Sequence, residues 1–175
     1  MRFGRKLKNL KRLIEILFFY RDITGVFAFF IVYLFSEISF NKLYLAIPFI
    51  LLGLFLRIWG YFYLGDIGYS LKFRNKFLVV NGIYRYLKHP IYLGNFLILI
   101  GFLLFLKMPI IFLLGIIIFF LTKYSLFIYY EEKIAFNKTQ NFKIIKVKPS
   151  FKNCLKELKT ISLILLALFL FFLKI

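Results

Sequence analysis

The stretch LYLAIPFILLGLFLRIWGYFYL, residues 43–64, decides the class of fold. Its one charged side chain is Arg57, and its length suits the roughly 20 apolar residues that a membrane-spanning helix needs. The rest of the chain has the same character, because 62% of its 175 residues are hydrophobic and its mean hydropathy is +0.86. A soluble domain has about 45–50% apolar residues. The sequence therefore predicts an all-α fold, an integral membrane bundle of helices.

Further apolar runs on both sides bring the predicted number of transmembrane helices to about five. The other predicted spans are Ile23–Phe40, Ile91–Leu106 and Pro109–Ile128, with a short last run at Ile161–Leu173. This last run either crosses the bilayer with help from the two leucines before it, Leu155 and Leu158, or lies in the interface. Residues 1–22 are basic and are interrupted by acids, so we expect a retained anchor or interfacial helix there. Residues 23–175 then form one membrane domain.

Lysines and arginines are concentrated in three segments. Six lie in the first dozen residues, five in residues 65–90 and eight in residues 129–159, whereas the turns at Lys42 and Lys107 carry one each. Because cytoplasmic loops of membrane proteins are rich in Lys and Arg, this distribution predicts that the N-terminus and both long polar segments are cytoplasmic. It also accounts for the net charge of +18 without a nucleic-acid partner.

The residue inventory excludes several kinds of site. One cysteine, Cys154, and one histidine, His89, cannot form a cysteine or histidine metal cluster, so we expect no metal. The sequence has no GxGxxG, Gly-rich phosphate loop or GxSxG motif. A nucleotide would therefore bind among helix ends and connecting loops. Nothing in the sequence predicts the oligomeric state.

The polar ends of two predicted helices carry the candidate functional residues. GIYRYLKHPIYLGN, residues 82–95, leads into the third span, and YYEEKIAF, residues 129–136, ends the fourth. The hairpin between them is expected to bring His89, Glu131 and Glu132 to one membrane face. A simpler interpretation remains for each residue. The imidazole of His89 could lie at the membrane interface without a further role. The carboxylates of Glu131 and Glu132, which point about 100° apart on a helix, could both be solvated beside Lys133.

Two features inside the spans also need an explanation. Arg57 is expected either to reach the interface or to pair with an internal carboxylate or an anionic ligand, and Asp66 and Glu131 are equally suitable partners. Gly94 and Gly101 lie seven residues apart on one helical face, which predicts a close approach to another helix.

Three motifs occur in an order that is typical of one enzyme family. They are LRIW (56–59), LVVNGIYRYLKHPIYLG (78–94) and the pair Glu131-Glu132. In these motifs the chain resembles the isoprenylcysteine carboxyl methyltransferase family and its phospholipid methyltransferase relatives. The resemblance covers about residues 50–150, and the GxYxxxxHPxYxG core is its most specific part.

The resemblance implies methyl transfer from S-adenosylmethionine to a membrane-embedded acceptor. The acceptor would be lipid-like, prenylated or otherwise apolar, with carboxyl O-methylation of an isoprenylcysteine as the family's example. Arg57 and Glu131 are the candidate catalytic residues, Arg57 to orient the acceptor or to brace Glu131. Carried over by motif, the residues that hold the cofactor are Leu78, Val79, Tyr84, His89, Pro90, Ile91, Tyr92, Glu131 and Glu132.

The chain departs from the family at several positions, and two other functions stay open. Lys88 stands where the family has arginine before His-Pro, and Phe127 stands where an arginine commonly precedes the paired glutamates. The second change bears on recognition of a substrate carboxylate. The stretch after the glutamates is also shorter than in the family. One alternative is an NADPH-dependent membrane sterol or enone reductase of the related superfamily, and the other is a non-catalytic membrane protein with the same fold.

Overall fold

The computed structural model describes residues 16, 29–64, 77–137 and 143–174, and these are mostly helical. The helices are α1 (residues 29–35), α2 (Leu43–Leu64), α3 (Pro90–Phe105), α4 (Ile110–Asn137), α5 (Phe151–Cys154) and α6 (Leu158–Phe172). Among the described residues, α2 and the Ile110–Tyr129 part of α4 are long and apolar enough to cross a bilayer. The helix α3 is apolar but shorter, at 16 residues. The predicted N-terminal anchor lies outside the described residues apart from Ile16.

The predicted bounds of the middle helices are confirmed. The helix α2 begins and ends at the predicted residues, and α3 is displaced by one residue at each end. Two predicted bounds are wrong. The helix α1 ends at residue 35 instead of Phe40, because the turn already involves Ser39, whose N–H donates to the carbonyl oxygen of Phe105 at 2.8 Å. The helix α4 continues to Asn137 instead of ending at Ile128, since polar residues such as glutamate and lysine end a span without breaking a helix.

Short strands and 3-10 turns lie between the helices and were not predicted. The strands are β1 (Glu37–Ile38), β2 (Phe77–Val79), β3 (Leu106–Lys107) and β4 (Lys143–Ile145), and the 3-10 turns are η1 (Phe40–Lys42), η2 (Gly82–Arg85) and η3 (Leu155–Glu157). Strands β2 and β4 pair in parallel, with Leu78 opposite Ile144. This pairing ties the segment before α3 to the segment before α5.

The chain divides into two compact units. The first unit is Met1–Glu37 with Met108–Asn137, and the second is Ile38–Lys107 with Lys138–Ile175. In the first unit the rings of Phe35 and Phe112 stack, with their centroids 5.0 Å apart. Its helix α4 buries Lys123 and Phe127, which are 8% and 2% exposed.

The second unit is built on an antiparallel contact between α2 and α3. Gly53 faces Gly94, where a Cβ on either glycine would come within 2.6 Å of the other's carbonyl oxygen. Further along, a Cβ on Gly101 would lie 2.5 Å from Cγ1 of Ile50. The predicted role of Gly94 and Gly101 in close helix packing is thus confirmed. The buried residues of α2 recur at steps of three and four: Ala46, Ile50, Gly53, Arg57, Gly60, Tyr61 and Leu64.

The helix α6 lies along this pair of helices. Near its start, Glu157 contacts Arg57 of α2, with 2.8 Å between Oε2 and Nε. Near its end, the buried ring of Phe171 packs against Phe102 and Phe105 in the last turn of α3. The last apolar run therefore packs against the second unit along one face, and its buried residues are Ile164 and Phe171.

Candidate functional site

The motif segment, residues 77–95, starts with β2 and folds back onto α2 before it enters α3. Gly82 has φ of +61°, a left-handed conformation that favours glycine. A Cβ at this position would also collide with the ring of Tyr63 in α2. The close return of the chain to α2 therefore requires glycine here.

A hydrophobic cluster fixes the middle of the motif segment. Val79 and Ile91 are buried together with Tyr61 and Leu64 of α2, and Tyr84 packs against them at the edge. The hydroxyl of Tyr84 lies beside Gly60 of α2, where the absence of a side chain leaves room for it. Of the predicted cofactor residues, Val79 and Ile91 thus use their side chains mainly for packing.

His89 is the residue immediately before α3, and Pro90 is the first residue of that helix. Proline suits this position, because its fixed φ continues the helix and its missing N–H would have no helical partner. The carbonyl oxygen of His89 accepts a hydrogen bond from the N–H of Leu93 at 3.2 Å. Pro90 is fully buried, whereas His89 is half-buried, and its ring stacks on buried Tyr92 at 5.8 Å and 27°. The two rings form an aromatic pair at the start of α3.

Two sets of polar contacts fix residues 143–150 against this end of the second unit. The side-chain amide of Asn81 donates to the carbonyl oxygen of Val147 at 2.7 Å and accepts from its N–H at 3.2 Å. The N–H of Ser150 donates to the carbonyl oxygen of Phe62 at 3.1 Å. Together with the β2–β4 pairing, these bonds hold the chain after β4 beside the motif segment and the end of α2.

Arg57 is the centre of a buried polar cluster. Its Nε donates to Oε2 of Glu157 at 2.8 Å, and its Nη2 donates to Oε1 of Glu157 and to Oγ1 of Thr160, both at 3.0 Å. Its Nη1 donates to Oδ1 of Asn95, and its guanidinium carbon lies 5.8 Å from the centroid of the Tyr61 ring. Arg57 is 9% exposed and Glu157 is 0% exposed, so this bidentate ion pair is shielded from solvent. It links α2, α3 and α6.

The side chains of the remaining predicted site residues lie outside what the structure describes. Asp66 is not among the described residues, and the side chains of Leu78, Glu131 and Glu132 are not described either, although Leu78 lies in β2 and both glutamates lie in α4. Both glutamates belong to the first unit and His89 to the second. Their predicted meeting at one cofactor stays a prediction.

Sequence reasoning missed the acidic partner of Arg57. The chain has seven acidic residues, and Glu157 is the one that stands directly before the last apolar run. A lone acid at the start of one apolar helix and a lone arginine inside another are complementary, which is the signal that identifies the pair. The amide side chains of Asn81 and Asn95 carry no such signal, since asparagine is common in loops and helices alike.

Lys123 was also missed. It lies inside the predicted span Pro109–Ile128, one helical turn before Phe127, and its Nζ is 5.9–6.0 Å from the centroids of three phenylalanine rings. Such distances fit cation–π contacts. A buried cation is therefore present one turn from Phe127, the position at which the resemblance in sequence leads one to expect an arginine.

Comparison with known proteins gives one family. The family model described as phospholipid methyltransferase matches residues 41–138, which is more than half of the chain. No curated protein and no solved structure is significantly similar to the chain. The matched region includes Arg57, the whole motif segment and α4.

Proposed function

Because the chain belongs to the phospholipid methyltransferase family, we propose that it is an S-adenosylmethionine-dependent methyltransferase whose acceptor is embedded in the membrane. The observation that carries this proposal is the extent of the family match. It includes the motif segment, with the His89–Tyr92 ring pair at its helix entrance, and it continues through the two glutamates of α4. Membership of the family implies a membrane methyltransferase. The identity of the cofactor and the class of acceptor are our proposal.

The motif segment offers suitable groups for the cofactor. Bound S-adenosylmethionine would supply a methyl group on a sulfonium that is already a good leaving group. Aromatic faces suit both an adenine and a sulfonium, and the rings of His89 and Tyr92 provide such faces beside half-buried Tyr84. We propose that Glu131 or Glu132 accepts hydrogen bonds from the ammonium or the ribose hydroxyls. The backbone at Leu78, Val79, Pro90 and Ile91 would supply the other contacts, and the buried side chains of the last three hold it in place.

Methyl transfer requires that the acceptor atom and the sulfonium lie in line, so the chain's main contribution is to hold both groups in place. A carboxylate acceptor needs no general base. An amine acceptor must lose a proton, and His89 or a glutamate is the group that would take it. A lipid or prenylated molecule is the acceptor class that we propose, because a site at the end of membrane helices is open to molecules arriving within the bilayer. Methylation of an isoprenylcysteine carboxylate is one member of this class.

We propose a positioning role for Arg57 in place of direct contact with the acceptor. Its donors already bind Glu157, Thr160 and Asn95. Asn95 lies one helical turn after Ile91, so the cluster fixes the first turns of α3 and with them the His89–Tyr92 ring pair. Glu131, proposed at the sequence level as a partner of Arg57, is not required for this role.

We also propose a multi-pass arrangement with about five membrane helices, in which the N-terminus and the motif segment face the cytoplasm. The three lysine- and arginine-rich segments support this orientation, and α2 and α4 supply two helices of sufficient length. The helix α6, continued backwards through η3 and α5, gives a third run of helical residues from 151 to 172.

A labelled-methyl assay with total lipid extract tests the proposed function. The purified chain is incubated with methyl-labelled S-adenosylmethionine and the extract, and the labelled species is identified by mass spectrometry. We expect label in an apolar, membrane-soluble product. A parallel titration compares binding of S-adenosylmethionine, its demethylated product and NADPH. Binding of NADPH alone would identify a reductase, and binding of none of them would identify a non-catalytic protein.

A further inference from the structure

The segment between β4 and α6 exposes a face that combines lysines with large apolar side chains. We call it the lysine face and define it by the exposed residues Lys146, Lys148, Phe151, Lys152, Leu155 and Leu158. Phe151 is 82% exposed, Leu155 62% and Leu158 55%. These three recur at steps of four and three, so they lie on one side of the helical turns that lead into α6.

Two contacts fix the depth of this face relative to α2. Ser150 binds the carbonyl of Phe62, two residues before the end of α2, and the ring of Phe151 packs on that of Phe62 at 5.2 Å. Glu157 binds Arg57, which lies about 10 Å before the end of α2 at a rise of about 1.5 Å per residue. Residues 150–157 therefore run back along the last turns of an apolar helix long enough to cross the bilayer.

This geometry separates the face into two levels. Lys146, Lys148 and Lys152 lie at the level where α2 ends, which is the level of the headgroups for a membrane-spanning helix. Leu155 and Leu158 lie deeper, beside the apolar part of α2. Exposed apolar side chains continue along α6 below them, at Leu165, Leu166 and Phe169. The apolar part of the lysine face is thus continuous with a surface that suits acyl chains.

The charge of the segment is of one sign. Residues 146–159 contain five lysines and one acid, and that acid is Glu157, which is fully buried against Arg57. The exposed residues of the lysine face therefore present positive charge, and the one carboxylate of the segment itself is buried away from them. Lysines at this level attract phosphate groups of anionic lipids, and the apolar residues beneath them remain in the hydrocarbon.

We propose that the lysine face binds anionic phospholipid: Lys146, Lys148 and Lys152 contact the headgroup phosphates, and Phe151, Leu155 and Leu158 lie among the acyl chains. The chain thereby enriches anionic lipid beside the second unit, at the end where the motif segment lies. This inference concerns lipid binding alone and does not rest on methyl transfer.

A fluorescence experiment on the full chain in lipid nanodiscs tests the proposal. The single tryptophan is removed by Trp59→Phe, and Phe151→Trp places a reporter on the lysine face. Leu155→Trp gives a second, independent reporter. Quenching by brominated phosphatidylglycerol is compared with quenching by brominated phosphatidylcholine at the same mole fraction. We expect the anionic lipid to quench about two-fold more or better at low salt, and this preference to shrink at high salt.

A matched control distinguishes the effect of the lysine face from the effect of the chain's net charge. The triple variant Lys146→Gln/Lys148→Gln/Lys152→Gln is expected to quench equally with both lipids, whereas Lys42→Gln/Lys107→Gln, at exposed lysines elsewhere in the chain, keeps the preference. Equal quenching by the two lipids before any lysine is changed would overturn the proposal. So would the absence of quenching at both reporters, which would place the face in water and point to a soluble acidic partner.

Discussion

Arg57 carries a full charge on an apolar helix, and its burial is possible because Glu157 neutralises it. Insertion of a charged side chain at the centre of a bilayer helix costs about 2.5–3.5 kcal/mol even when it relaxes toward the interface. Here the guanidinium is 9% exposed, and its donors reach Glu157, Thr160 and Asn95. The ion pair offsets its own desolvation chiefly through these additional hydrogen bonds, so each partner depends on the other.

The Arg57–Glu157 pair gives the first prediction. Arg57→Met leaves an unpaired buried carboxylate, and we expect the free energy of unfolding to fall by about 3–5 kcal/mol. The double variant Arg57→Met/Glu157→Leu removes both charges and should lose much less. Unfolding experiments in mixed micelles measure the free energy of unfolding of the single and the double variant. Arg85→Met, at an exposed position, is the control and should change stability by about 0.5 kcal/mol or less. A double variant no more stable than Arg57→Met would contradict the dependence of each charge on the other.

The same double variant tests the proposed positioning role. If Arg57 orients the start of α3 through Asn95, the double variant should bind S-adenosylmethionine more weakly even at a temperature where it is fully folded. Isothermal titration calorimetry measures the affinity for S-adenosylmethionine, at temperatures where the double variant and the parent chain are equally stable. An unchanged affinity would show that the cluster stabilises the fold and has no part in cofactor binding.

At the scale of elements, the contact between α2 and α3 depends on glycines. Gly53 and Gly94 face each other so closely that a Cβ on Gly94 would lie 2.6 Å from the carbonyl oxygen of Gly53 and 2.8 Å from Cγ of Arg57. A carbonyl in a helix cannot move independently of its helix, so any added side chain must separate the two helices. Separation would also strain the polar cluster around Arg57.

The two glycines Gly94 and Gly115 provide a matched pair of substitutions. Gly94→Ala should lower the free energy of unfolding by about 1–3 kcal/mol through overpacking. Gly115 lies in α4, where a Cβ would meet nothing within 4 Å, so Gly115→Ala should stabilise by about 0.5–1 kcal/mol. Thermal unfolding in detergent compares both with the parent chain. Similar changes of the same sign in the two variants would show that α2 and α3 do not pack at Gly94.

The elements differ in how far the sequence predicts them, for physical reasons. The bounds of α2 and α3 follow from apolar runs that stop at polar turns, and the glycines at 94 and 101 predict which face of α3 is buried. Strands β2 and β4 have three residues each, too few for a recognisable alternation, and they pair across a long stretch of chain. The helix α4 continues beyond its apolar part because nothing in YYEEKIAFN breaks a helix.

The candidate site was predicted in part. The motif segment was found because its residues are adjacent in sequence, and the structure confirms that His89 and Pro90 lie at the start of a helix. The partner of Arg57 was not found, because Glu157 is 100 residues away and the sequence offered Asp66 and Glu131 as equally suitable partners. Non-local pairs of this kind are decided by packing, which the sequence does not specify directly.

At the scale of the whole molecule, the family match extends over parts of both units. Residues 41–107 of the match belong to the second unit and residues 108–137 to the first. The proposed cofactor residues are divided in the same way, with His89 in the second unit and Glu131 in the first. The predicted cofactor residues of the two units can therefore be tested separately by mutation.

His89→Ala and Glu131→Ala test the two units separately. We expect each variant to bind S-adenosylmethionine about ten-fold more weakly, because each removes about 1–2 kcal/mol of stacking or charge-assisted hydrogen bonding. Lys133→Ala removes a charge two residues from Glu131 in the same helix and should bind the cofactor like the parent chain. Equilibrium titration with all three variants, after thermal unfolding confirms that each is folded, gives the comparison. Parent-like affinity in both His89→Ala and Glu131→Ala would place the cofactor elsewhere, whereas weakening in His89→Ala alone would confine the binding residues to the second unit.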